Sequence, residues 1–264
     1  MPQLMRTANP ALTEKAFRDY QAERFGGGGF GGSVAERMTL NGTVNKTGIL
    51  LVLAFLTAGW TWFQFMATRD VSTVGPWLLI GGLGGFITAM VTIFKQQWAP
   101  VTAPLYALLE GLVLGSISAF MELRYPGIAI QAVGLTFGTL FTLLIAYRTG
   151  VIRVTQKFRL GVIAATGGIA VFYLLQMVLG LFHVQLFYGA NGVNGSGIVG
   201  IGFSLIVVVV AALNLVLDFD FIESGVRAGA PKYMEWYGAF GIMVTLVWLY
   251  LEILRLLSKL NRRN

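Results

Sequence analysis

The sequence predicts an all-α integral membrane protein with seven transmembrane helices. Three observations predict it. Apolar residues make up 56% of the 264 residues and charged residues only 12%, with a mean hydropathy of +0.72; ordinary globular chains are about 25% charged. The apolar residues fall into seven runs near the ~20 residues that a helix needs to cross a bilayer. The runs are unbroken rather than alternating in short segments, so each must satisfy its backbone internally, as a helix does and a barrel strand does not.

Residues 1–46 precede the first run and include Gly26-Gly-Gly-Gly-Phe-Gly-Gly32. They are expected to form a largely disordered cytoplasmic tail with a flexible glycine tract, leaving residues 47–260 as the transmembrane domain. No early apolar segment marks a cleavable signal, so the first run, Ile49–Met66, is expected to act as its own insertion signal. Trp77–Phe94 follows and carries Gly81-Gly-Leu-Gly84-Gly85, a spacing that lets helix backbones approach closely in lipid. Val101–Phe120 starts beside Pro100 and Pro104, where proline is tolerated. Ile128–Tyr147 holds Gly134 and Gly138, again at packing spacing. Leu160–Phe182 and Gly197–Leu217 flank the uncharged glycine-rich loop Tyr188–Gly197, expected to be a flexible external turn. Phe240–Leu257 is the last run. Trp60, Trp77, Trp98, Phe182, Tyr188 and Trp236 near the run ends suit an interfacial belt.

The formal charge of +7 has a topological meaning and gives no reason to expect a nucleic-acid partner. Basic residues gather in the tail (Arg6, Lys15, Arg18, Arg24, Arg37, Lys46) and between the fourth and fifth runs (Arg148, Arg153, Lys157, Arg159). The positive-inside rule therefore places the N-terminus in the cytoplasm of a cell (plasma or inner) membrane. Seven spans then put Arg255, Lys259, Arg262 and Arg263 outside, against the same rule: either the last helix is partial and its tail stays inside, or the earlier loops dominate orientation, which is the reading favoured.

Enzyme classes fall away one by one, and no catalytic residue is assigned. The chain has no cysteine, which removes thiol chemistry and cysteine-ligated metals. A single histidine, His183, cannot make a zinc-protease motif. It also lies at a run end, away from Ser116 and Ser118, which read as helix-packing hydroxyls. Lys259 falls beyond the last run and not midway along it, as a retinal protein would need. Asn41-Gly-Thr43, Asn45-Lys-Thr47 and Asn194-Gly-Ser196 match the short glycosylation pattern, which arises easily by chance. No cofactor is indicated.

The acids are more selective. Glu110, Asp218, Asp220, Glu223, Glu235 and Glu252 lie in or beside the membrane. A charged side chain at a bilayer centre costs roughly 2.5–3.5 kcal/mol on insertion scales, so such residues mark ion or proton paths by default. Asp218 closes an apolar run, Glu252 sits inside one, and Glu110 is nearly central in the third. Lys95 ends the second run and is available as a counter-ion.

The stretch Leu217-Asp218-Phe-Asp220-Phe-Ile222-Glu, with Leu249-Tyr250-Leu251-Glu252-Ile253-Leu-Arg-Leu-Leu257, resembles the Bax inhibitor (TMBIM, YccA-like) family. The segment Gly225–Tyr237 is similar to its bacterial, actinobacterial-type branch. The resemblance implies a seventh helix surrounded by the other six. It also implies a carboxylate pair between helices six and seven that gates a pH-sensitive calcium leak, with protons as a further cargo. Asp218 and Glu252 take the two positions, as gating acids and as a weak Ca²⁺ site. Asp220, Glu110 and Lys95 count as contributors, Lys95 near a family arginine that latches the pair. Glu252 replaces an aspartate, and Lys95 lacks arginine's bidentate fork. The competing function is a non-conducting regulator that binds a membrane protease or another membrane protein. Oligomeric state is not legible.

Physics supports a pair independently. Two carboxylates in one low-dielectric site do not both ionise readily, so they share a proton. Losing it creates a repulsion that a cation relieves, and Ca²⁺ accepts irregular oxygen shells. Depth is the obstacle. With a turn at Ala228–Pro231, the two acids differ by roughly 16 Å at 1.5 Å per residue. They meet only if Lys232–Tyr237 lies along the interface as a separate segment.

Overall fold

A computed structural model describes residues 37–182 and 192–263. Seven helices, each long and apolar enough to cross a membrane, account for most of it. They are α1 (Leu40–Thr68), α2 (Val71–Phe94), α3 (Ala99–Arg124), α4 (Ile128–Arg148), α5 (Gln156–Leu181), α6 (Ile198–Arg227) and α7 (Met234–Arg263). A short 3₁₀ turn, Gln96–Trp98, joins α2 to α3. Among the described residues β structure is limited to one isolated bridge, Arg37 to Pro231. The tail up to residue 36, His183 and residues 184–191 of the glycine-rich loop lie outside the described residues.

The helices outrun the apolar windows because polar turns extend them. α6 continues ten residues past Leu217 to Arg227, and α7 begins at Met234 rather than Phe240. The interfacial segment expected at Lys232–Tyr237 is therefore replaced by the opening turn of α7. Pro231 and Lys232 carbonyls accept from the Met234 and Glu235 N–H groups, and Met234, Glu235 and Tyr237 are buried. Along its most apolar stretch α7 is 67% buried, against 11–39% in the other six helices.

The chain divides into two compact units, with α3, α6 and α7 cut by the division. The first comprises residues 37–120 and 218–244 of the described chain. Thr39 caps α1 by accepting from Gly42 N–H at 3.0 Å, and Asp70 caps α2 by accepting from Ser72 N–H at 2.9 Å. Glycine lets α3 reach its neighbours. A Cβ on Gly81 would stand 2.6 Å from the Leu109 carbonyl, so the expected small-residue seam on α2 does pack against α3. The tighter seam is on α3 itself. Gly111 and Gly115 lie so close to Ala54, Thr57, Ala58 and Thr61 of α1 that a Cβ would overlap backbone. Gly134 and Gly138 of α4, expected to pack similarly, instead face open space.

The second unit comprises residues 121–217 and 245–263 of the described chain. Gly127, at φ 86°, precedes α4. There Glu122 accepts from the Gly127 and Ala129 N–H groups at 2.6 and 3.1 Å, satisfying the helix start. Ile169, Val207 and Val210 form a core lined by Ala165, Tyr173, Phe203 and Trp248. Asn214 crosses from α6 to the Thr166 hydroxyl of α5 at 2.8 Å.

Candidate functional site

The acids named from sequence fall into separate settings. Asp218 is fully buried in α6, in the first unit, among buried Leu217, Phe219, Phe221 and Ile222. Asp220, two residues on and on roughly the opposite helix face, is half-buried. Glu223 is paired with Arg227 at 3.3 Å on the exposed end of the helix. Glu110 is half-buried in α3, and its carboxylate lies against Gly85 of α2, where a Cβ would stand 3.2 Å from Oε2. Lys95 is exposed at the C-terminal end of α2.

Glu252 belongs to the second unit and is 2% exposed. Its Oε1 accepts from the Tyr173 hydroxyl at 2.9 Å and from Arg255 Nη1 at 2.7 Å. Arg255 also donates to the Tyr173 hydroxyl at 2.7 Å and stacks 5.2 Å over that ring. The other carboxylate oxygen, Oε2, is buried with no hydrogen-bond partner. An ionised acid this deep is tolerable because a cation and a hydroxyl hold one oxygen. The second oxygen remains free to take a proton or a cation.

The cation on Glu252 is thus Arg255, three residues along the same helix. Sequence reading counted Arg255 only towards topology, although i,i+3 spacing on a helix already faced the two side chains together. Tyr173 was missed as well. Its signal was a phenol in the middle of an apolar run, where a buried hydroxyl needs a partner. Thr245, Glu252 and Lys259 recur every seven residues along α7, and all three are buried.

A further ionic cluster, absent from the sequence expectations, lies in the first unit. Glu235, with a fully buried side chain, accepts from Thr39 N–H at 2.9 Å, Thr39 Oγ1 at 2.8 Å and Lys232 Nζ at 2.8 Å, and pairs with Lys46. Lys46 in turn lies 5.5 Å over the Trp236 ring. Met38 N–H donates to the Ala230 carbonyl at 2.7 Å beside the Arg37–Pro231 bridge. The start of α1 is thereby fastened to the start of α7. No local sequence pattern announces a contact between residues 189 positions apart.

Among the described residues no group of three or more Asp, Glu, His or Cys side chains comes together as a metal site. A Ca²⁺ ion on Glu252 would draw the rest of its shell from carbonyls and water.

Seven membrane-crossing helices carrying buried acids define a multipass α-helical membrane protein. The chain belongs to the Bax inhibitor 1 like family, whose model matches residues 9–262. No curated protein and no solved structure matches it.

Proposed function

We propose that this protein is a pH-sensitive leak for calcium, and for protons, in the plasma or inner membrane, with its N-terminus in the cytoplasm. Asp218 on α6 and Glu252 on α7 are the acids whose protonation gates it. One observation carries the proposal: both acids are buried within membrane-crossing helices, and Glu252 keeps an oxygen without a donor. Such groups are costly in a bilayer, and those retained there mark an ion or proton path by default. Protonation makes each acid neutral and dry. Deprotonation leaves a negative charge that draws in water and a cation, so the leak increases as pH rises. At Glu252 the groups touching the acid are Tyr173 from α5 and Arg255 from α7, and the buried Lys259 of α7 acts on it through space. Arg255 is 44% exposed at its side chain, which leaves it able to turn away when a cation replaces it. A carboxylate oxygen completed by carbonyls and water binds Ca²⁺ weakly, which suits permeation over storage.

The test is Ca²⁺ flux in liposomes holding the purified chain. Asp218→Asn and Glu252→Gln should each change the flux and flatten its pH response, and Tyr173→Phe should shift the pH response without abolishing flux. Unchanged flux and pH response in both acid variants would remove these residues from gating. A chain that conducts nothing at any pH, yet loses a membrane-protein partner when Met1–Gly32 is deleted, is a regulator and not a leak.

A further inference from the structure

Lys259, near the end of α7, is 5% exposed. An ammonium has three donors, and this one has three oxygens around it. The Val193 carbonyl accepts at 2.8 Å, the Gly200 carbonyl at 3.0 Å and the Ser204 hydroxyl at 2.8 Å. Among the described residues no carboxylate lies within ion-pair distance of Nζ, so its direct partners are oxygen dipoles, while the opposite charges of Arg255 and Glu252 act on it only through space. The location is a poor one for a free cation by helix electrostatics, because Gly200 and Ser204 belong to the first two turns of α6, the positive end of the helix dipole. The oxygens themselves must therefore create the affinity.

Their convergence is built into the backbone. The turn beginning at Gly192 closes through Gly195 N–H to the Gly192 carbonyl at 2.9 Å. It folds back so tightly on α6 that a Cβ at Gly200 would overlap the Gly195 carbonyl and stand 3.0 Å from that of Gly192. A glycine at 200 is what allows the carbonyl of the turn and the carbonyl of the helix to face one point. Carbonyl and hydroxyl oxygens arranged around a point at hydrogen-bonding distance are the ligands that replace water around a monovalent cation.

We propose that the Val193 and Gly200 carbonyls and the Ser204 hydroxyl form a binding site for a monovalent cation of ammonium type, and that Lys259 fills it with the chain's own cation. The oxygens are fixed by the turn and by the helix rather than by the lysine, so the site outlasts loss of the side chain. Ammonium and potassium are small enough to take its place; a bulky organic cation is not.

The test uses the full chain in detergent, with Lys259→Ala melted in chlorides of ammonium, potassium or the bulky N-methyl-D-glucamine at equal ionic strength. In the bulky salt the variant should melt about 5–10 °C below the unmodified chain, because three buried acceptors lose their donors. Ammonium chloride should restore most of that loss saturably, while the unmodified chain should not distinguish the salts. Ser204→Ala added to Lys259→Ala should weaken the rescue. Lys259→Met, whose stem occupies the same space, should fold and ignore the salts. A Lys259→Ala chain whose melting is indifferent to the cation overturns the proposal. If Lys259→Ala does not fold in the bulky salt, ammonium present throughout purification should yield monodisperse protein. Failure there, with Lys259→Met monodisperse, overturns it equally.

Discussion

Replacing Glu235 by alanine should be among the most damaging single changes in the first unit. The carboxylate is fully buried and serves Thr39 N–H, the Thr39 hydroxyl, Lys46 and Lys232. Removing it strands Lys46, whose side chain is only 16% exposed, and leaves the Thr39 N–H without its acceptor. Breaking a buried pair from one side costs about 3–5 kcal/mol. The lower end applies here, because the lysine stem can carry its head towards water. At roughly 2–4 °C per kcal/mol for a domain of this size, about 3 kcal/mol lowers the melting temperature by about 6–12 °C. Lys232 is 49% exposed, so Lys232→Met removes a screened pair worth at most about 1 kcal/mol, or up to about 4 °C. Glu235→Gln should fall between, since its amide oxygen still accepts from Thr39 while Lys46 loses its anion. The assay is thermal unfolding in one detergent at one scan rate, with a double-mutant cycle between Glu235→Gln and Lys46→Met. A Glu235→Ala shift no larger than that of Lys232→Met, or no coupling in the cycle, refutes the reasoning.

Three other outcomes follow from local geometry. Gly115→Ala drives a Cβ into the Ala58 backbone and should destabilise by about 1–3 kcal/mol through overpacking, seen as lower melting and monodisperse yield. Gly134→Ala meets nothing within 4 Å and should be neutral or slightly stabilising on the same measurements. The Ser72 hydroxyl and N–H hold the exposed Asp70 carboxyl below the usual range. A lowered folded value means that the stability from this cap is complete above about pH 3.9 and lost as pH falls through the folded value. Asp70→Ala should therefore speed amide exchange in the first turn of α2 at neutral pH, and the difference should vanish in strong acid.

The seven spans were legible because bilayer thickness leaves a direct signature in composition; five of the runs lie within the helices observed, and the other two overrun them by one residue each, Phe182 and Gly197. Their ends were less so. α6 and α7 extend through Asp218–Arg227 and Met234–Ala239, where hydropathy falls while helical hydrogen bonding continues. Glycine spacing identified the α2 seam at Gly81 and Gly85 but misled at Gly134 and Gly138, since the same spacing serves a lipid-facing helix equally well. The motif Leu249–Leu257 singled out Glu252 correctly as a buried acid, and the i,i+3 rule would have added Arg255. The Lys46–Glu235 pair was beyond reach, because each residue acquires its meaning from another helix, and Tyr173 announced only that a buried hydroxyl needs a partner, not which one.

The bond between Thr39 and Glu235 joins residues 196 positions apart, and that distance is also a delay. At about 5–20 residues per second, a ribosome needs roughly 10–40 s after adding Thr39 to supply the acid that completes the cap of the first helix. During that interval Lys46 sits at the membrane with no anion, and α1 has one unsatisfied end. Every full-length chain passes through this state, and every prematurely terminated chain remains in it. The start of α1 therefore reaches its final hydrogen bonding only once the last helix has been made.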